Sequence, residues 1–125
     1  MASKVNIRVD QGSTYTHEFT WIDEQTETEI NISGYSARWQ IRPSVESDTL
    51  LLDGDTDTKG MIEIADGVAG LVVITIPSAI SEAWDSGITE AVYDVEIESP
   101  SGESTRIAEG GITISPEVTR SQPIP

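Results

Sequence analysis

Asp53, Asp55 and Asp57 stand at alternate positions of one polar loop. A calcium loop begins this way, because a hard cation collects several carboxylate oxygens from a tight turn. The rest of such a loop is missing. Counted from Asp53, Thr58 stands where the turn glycine belongs, Gly60 where an apolar residue belongs, and Ile64 where a bidentate glutamate would close the site. The expectation is a solvated acidic loop with no bound metal. His17 is the single histidine and shares its parity with Tyr15, Phe19 and Trp21, which places it among packing residues at a strand end. A Ser-His-Asp arrangement finds no Gly-x-Ser-x-Gly elbow to support it. Glu90, Asp94, Glu96 and Glu98 alternate as a solvated strand face does, rather than converging as an acid/base pair. Gly67-Val68-Ala69-Gly70 and Gly110-Gly111 precede no helix, so they read as turn glycines and not as a phosphate cradle. Arg38 and Arg42 share the polar face of one strand. They are expected to pair with acidic side chains of the same chain, the alternative being contact with an anion or a partner protein. No catalytic residue and no cofactor emerge.

The composition points the same way. Seven Lys and Arg against 22 Asp and Glu give a formal charge of −15 over 125 residues, a field that repels nucleic-acid phosphates and anionic lipid surfaces. Cysteine is absent, which removes disulfides, thiol nucleophiles and thiolate metal sites. The start Met1-Ala2-Ser3-Lys4 leads into alternating sequence without an apolar targeting segment, and Gly70 to Ile76, the longest apolar run, is far short of the roughly 20 residues that span a bilayer. A soluble, cytosolically made chain is expected. The length fits one domain, set at 1–115, followed by a proline-rich tail at 116–125.

The elements that must position these residues are strands. Hydrophobic residues make up 37% of the chain, enough for a core, and they recur with period two. Val5, Ile7 and Val9 form a first strand, and Tyr15, His17, Phe19 and Trp21 a second. Ile30 and Ile32 make a short segment, and Ala37, Trp39 and Ile41 a strand stopped by Pro43. Thr49 to Leu52 reads as a brief edge strand ahead of the Asp53 to Gly60 loop. Met61 to Ala65 and Leu71 to Ile76 form a hairpin. Ser78 offers an N-cap to one or two helical turns carrying Ile80, Ala83 and Trp84, a plug for one end of a sandwich. Ala91, Tyr93, Val95 and Ile97 define the clearest strand, broken in polarity only by Val92 on its other face. Glu103 to Glu109 follows a Ser99-Pro100-Ser101-Gly102 turn, and Gly110-Gly111 reads as a bulge before Ile112 to Ile114. Eight or nine short antiparallel strands with one helical turn near 78–84 give an all-β, immunoglobulin-like sandwich, with Trp39 and Tyr93 buried on facing strands. Tyr15, Trp21, Tyr35, Trp39 and Trp84 would suit a carbohydrate-stacking platform, but parity turns Tyr15, Trp21 and Trp39 inward.

Val9-Asp10-Gln11-Gly12-Ser13-Thr14, Phe19-Thr20-Trp21 and Ile32 to Arg42 carry a family likeness, continued by Tyr93-Asp94-Val95-Glu96, Ser99-Pro100-Ser101-Gly102, Thr105-Arg106 and Glu109-Gly110. Over about residues 5 to 120 the chain resembles small immunoglobulin-like virion proteins of double-stranded DNA bacteriophages. It is similar to the N-terminal domain of phage baseplate upper proteins, which anchors receptor-binding parts to the tail. The resemblance implies a non-enzymatic structural protein of the virion, made in the bacterial host cytoplasm and present in several copies. Its partners would be tail, baseplate or capsid subunits. Because a baseplate upper protein continues into a long receptor-binding region, the expectation is an adaptor or fibre-associated module. A capsid decoration protein is the alternative, and a carbohydrate-binding module the alternative of another class. The tail, with three prolines in ten residues, is expected to pack on a neighbouring subunit through Pro116, Pro123 and the anchoring charge of Arg120, with Arg38 and Arg42 as further contact residues.

Overall fold

Period-two alternation carries most of the chain into strands, because successive side chains of an extended backbone point to opposite faces and only one face can be apolar and buried. The computed structural model describes residues 3–23, 25–85 and 87–116. Among them are β1 (Ser3–Lys4), β2 (Ile7–Asp10), β3 (Tyr15–Thr20), β4 (Ile22–Asp23), β5 (Thr28–Glu29), β6 (Ser36–Arg42) and β7 (Leu52–Asp55). The order continues with β8 (Ile62–Asp66), β9 (Leu71–Ile76), α1 (Ser78–Glu82), β10 (Glu90–Glu98) and β11 (Ser104–Ser115). One sheet of six strands runs β1/β2, β11, β10, β6, β7, and a second runs β3, β9, β8; β4 and β5 form a small separate hairpin. The expected all-β sandwich is present, with eleven strands among the described residues where eight or nine were anticipated.

The core lies between the two sheets. Val72, Ile74 and Ile76 of β9 are fully buried, as are Trp39 and Ile41 of β6 and Val95 and Ile97 of β10. Each such side chain contributes about 1.5–3 kcal/mol by leaving water. Trp39 is 1% exposed and meets Tyr93 edge-on, with ring centroids 6.2 Å apart. The two residues sit on neighbouring strands of one sheet, not on facing strands, since β6 and β10 pair directly. The indole N–H of Trp39 donates to the Met61 carbonyl at 2.9 Å, and the Tyr93 hydroxyl to the Val5 carbonyl at 2.7 Å. Each polar tip is thereby satisfied inside the core.

Several local expectations are corrected. The single N-terminal strand is divided into β1 and β2, both parallel to β11, and Val5 between them lies so close to Gly110 that a Cβ there would fall 2.1 Å from the Val5 carbonyl oxygen. The edge strand after Pro43 is Leu52–Asp55, not Thr49 to Leu52. Its shift lets Gly54 pass directly over the core, where an added Cβ would meet the Gly60 carbonyl at 2.7 Å and the Trp39 indole nitrogen at 3.0 Å. Ile30 and Ile32 belong to no strand, although Ile32 is fully buried; pairing falls instead at Thr28–Glu29. Ser78 is not the N-cap of α1: Pro77 occupies that position and no side chain caps the helix. Ser81 is the serine that binds, its buried hydroxyl accepting the Gly12 N–H at 2.9 Å, while the Gln11 amide donates to the Trp84 carbonyl at 2.7 Å. With the Trp84 indole donating to the Leu51 carbonyl at 2.8 Å, α1 and the turn after it close one end of the sandwich. Finally, β11 runs unbroken through Gly110 and Gly111; the bulge lies at Ile107, where pairing passes from Val95–Ala108 to Glu96–Arg106.

Candidate functional site

The outer face of the six-stranded sheet gathers the chain's positive charge. Burial of Ile7 and Val9, Ala37 and Trp39, and Trp39 and Ile41 turns Arg8, Arg38 and Arg42, respectively, outward. Lys4 and Arg106 line the same face, and Lys59 reaches it by pairing with Asp53 of β7. Of the seven basic residues, the remaining one, Arg120, lies outside the described residues, as does Pro123. The strands of the opposite sheet carry no Lys or Arg.

Register arranges these side chains in rows across the sheet. One row reads Lys4, Glu109, Asp94, Gln40, Asp53; the next reads Arg106, Glu96, Arg38, Asp55; on the other side of the first lie Gly111, Val92 and Arg42. From the second row Arg106 reaches across to the first, to Asp94 at 3.4 Å and to Glu109 at 3.8 Å. Burial raises the Asp94 pKa above its ordinary value, helped by the Glu96 charge and opposed by Arg106. Arg42 donates one guanidinium nitrogen to the Ser47 carbonyl at 2.9 Å and another to the Gln40 amide oxygen at 3.1 Å. Gln40 in turn donates to Asp53 at 3.1 Å, and Asp53 takes the Lys59 ammonium. The Lys59 hydrogen bond, together with that from Gln40, lowers the Asp53 pKa despite partial burial. The expected pairing of Arg38 and Arg42 with acidic side chains is not found: neither makes an ion pair among the described residues, although Arg38 lies in register between Glu96 and Asp55.

The aspartate loop does not converge on one point. Asp55 turns its carboxylate onto its own turn, accepting the N–H groups of Asp57 at 3.1 Å, Thr58 at 2.7 Å and Lys59 at 3.0 Å. These bonds hold its pKa down at about 2. Asp53 faces Gln40 and Lys59, and Asp57 is exposed. Among the described residues no three His, Asp or Glu side chains are grouped to hold a metal ion. His17 is half-buried between Tyr15 and Phe19, its ring 4.7 Å from that of Phe19. Of the aromatic residues that a sugar platform would need, Trp39 and Trp84 are buried, and Tyr15, Trp21 and Tyr35 pack against the core.

Between Lys4 and Arg42 the face is hollowed into an open depression of about 470 Å³, floored by Val92 and Tyr93 and flanked by Asn6, Gln40 and Val45. That Lys4, Asp94, Arg106 and Glu109 meet was not foreseen from the sequence, since it depends on pairing between strands distant along the chain and on the bulge at Ile107. Pro116 is exposed just beyond β11.

No family model matches the chain, and no curated protein does. Among solved structures it is similar to a crystal structure of chicken TCR, with 14% identity, a TM-score of 0.55, and coverage of 94% of this chain and 56% of that one. At that identity the likeness concerns architecture alone, and the architecture is an immunoglobulin-like β-sandwich.

Proposed function

We propose that the chain is a non-enzymatic docking module, an immunoglobulin-like subunit of a double-stranded DNA phage virion that attaches to a tail or baseplate assembly through the charged outer face of its six-stranded sheet. The observation that carries the docking role is the collection of the described cations of a −15 chain on that one face. Exposed ion pairs add only about 0–1 kcal/mol each to stability, so stability does not account for such an array. Patterned surface charge instead sets orientation and partner choice in association. The virion context rests on the sequence resemblance over about residues 5 to 120.

The test is to purify particles encoded by a genome carrying this sequence, separate tails from heads, and quantify the chain in each fraction by mass spectrometry. Recovery with tails is expected. Recovery with heads alone makes it a capsid decoration protein, and absence from both overturns the virion role.

A further inference from the structure

We propose that the depression between Lys4 and Arg42 is a seat for an acidic segment of the partner protein, with one carboxylate on Arg42, another toward Lys4 at the opposite side, and an aliphatic neighbour against Val45 and Val92. This rests on the docking role above and names the chemistry that the face recognises.

Lys4, Arg42 and Arg106 line the depression together with Asp94 and Glu109, a local surplus of one positive charge (three minus two) on a chain that carries −15 overall. Arg106 is the ion-pair partner of both carboxylates, and neither Lys4 nor Arg42 makes an ion pair among the described residues. Lys4 lies in register beside Glu109, but in a chain with 22 acidic residues Arg42 stays without a carboxylate among the described residues only if acids are kept away from it. The sequence of β10 does this at one position. Its outward residues are Glu90, Val92, Asp94, Glu96 and Glu98, and the single apolar member, Val92, is the one directly opposite Arg42. A carboxylate at that place would occupy Arg42 from within. Gly111, on the far side of Val92 in the same row, adds no side chain and leaves the floor low.

Arg42 is also preorganised. Its bonds to Ser47 and Gln40 fix the guanidinium while using two of its five N–H donors. The remaining donors suit a planar carboxylate, and the ordering cost of the side chain is already met before binding. The Ser47 bond also holds the connection that carries Val45, an aliphatic side chain left 82% exposed at the rim. A simple anion has no use for Val45 and Val92, whereas a peptide carrying a carboxylate beside an aliphatic residue uses both. Distant acids oppose such a ligand only weakly, because the Debye length is about 8 Å at physiological ionic strength.

The experiment is an NMR titration of the full chain with acetyl-Leu-Glu-Leu-Asp-amide, its Gln/Asn counterpart, a Lys-containing counterpart and inorganic phosphate. The acidic peptide is expected to move the amides of Arg42, Val45 and Val92 saturably, and roughly tenfold more weakly in Arg42→Gln, the size of one charge-assisted contact. Val92→Glu, which supplies an internal carboxylate, is expected to keep the spectrum of a folded chain and abolish the response. An equal response to the neutral peptide, a stronger response to the Lys peptide, an equal response to phosphate, or unchanged binding in Val92→Glu would each overturn the seat. Failure here with the chain still found in particles leaves the docking role standing. Absence from particles removes that role whatever the peptide does.

Discussion

Arg106 and Glu109 are three residues apart on one strand and yet project from the same face of the sheet, 3.8 Å apart at their charged ends. Odd spacing in a regular strand puts two side chains on opposite faces. The extra residue at the Ile107 bulge reverses the parity, so that Ile107 and Ala108 are both buried while Arg106 and Glu109 both face out beside Asp94. Arg106 and Glu109 thus share a face only because the inserted Ile107 is taken up as a bulge.

Deleting Ile107 restores plain alternation with Arg106 and Glu109 still outward and Ala108 still inward, since the pairs Glu96–Arg106 and Val95–Ala108 then follow one another without an insertion. The deletion is expected to keep the fold while losing about 2–5 kcal/mol with the buried Ile107 side chain, whereas Ile107→Val costs about 0.5–1.5 kcal/mol. A deletion variant whose amide dispersion collapses in NMR would show that the bulge itself is needed.

Trp39 and Gly54 form one packing unit, the indole lying under a backbone that has no side chain. Trp39→Ala is expected to cost about 3–5 kcal/mol in urea unfolding. Gly54→Ala drives a methyl into the Gly60 carbonyl and the Trp39 ring, and is expected to cost about 1–3 kcal/mol.

Asp55 has a pKa held at about 2 by the N–H groups of its own turn, below its unfolded value of 3.8. Its contribution to stability is present above the unfolded value and is lost as pH falls through about 2. The melting temperature of Asp55→Asn should thus lie below that of the parent at neutral pH, with the gap closing on acidification to about pH 2. Calcium at roughly millimolar level should shift the parent's melting temperature little, because binding would have to take carboxylate oxygens from those N–H groups.

Tyr93 is neutral in the fold, its pKa pushed up to about 12 by burial and, in smaller measure, by Tyr15. Since the folded value exceeds the ordinary value of 10.0, its contribution is complete below pH 10.0 and disappears as pH rises through about 12. Tyr93→Phe is expected to lose about 0.5–1.5 kcal/mol at neutral pH, through the hydrogen bond to Val5, and to unfold less steeply in alkali than the parent. Denaturant unfolding across the alkaline range measures both.

Parity and turn chemistry are local properties, and they made most of the architecture legible. Ala37, Trp39 and Ile41, the run Leu71 to Ile76, and Ala91, Tyr93, Val95 and Ile97 declare their buried faces by alternation alone, and Trp84 declares a short helical plug by its spacing. Where the backbone departs from alternation, local signals misled. Two adjacent glycines looked like a bulge, but the bulge sits at Ile107, because Gly110 is needed for the close approach of Val5. Ser78 looked like a cap, but Ser81 serves the Gly12 turn. Alternation also showed which side of each strand is charged, in Arg38 and Arg42 as in Glu90 to Glu98, but not which charges of different strands stand together. That Lys4 lies beside Glu109, that Val92 faces Arg42 and that Asp55 turns away from Arg38 toward its own backbone are facts of register and of hydrogen bonding. Register is decided by contacts between strands remote in sequence, each of which chooses its neighbour by burying a face in the common core. Composition therefore determined an acidic β-sandwich, and only the packed sheet decided which few of its charges would stand together.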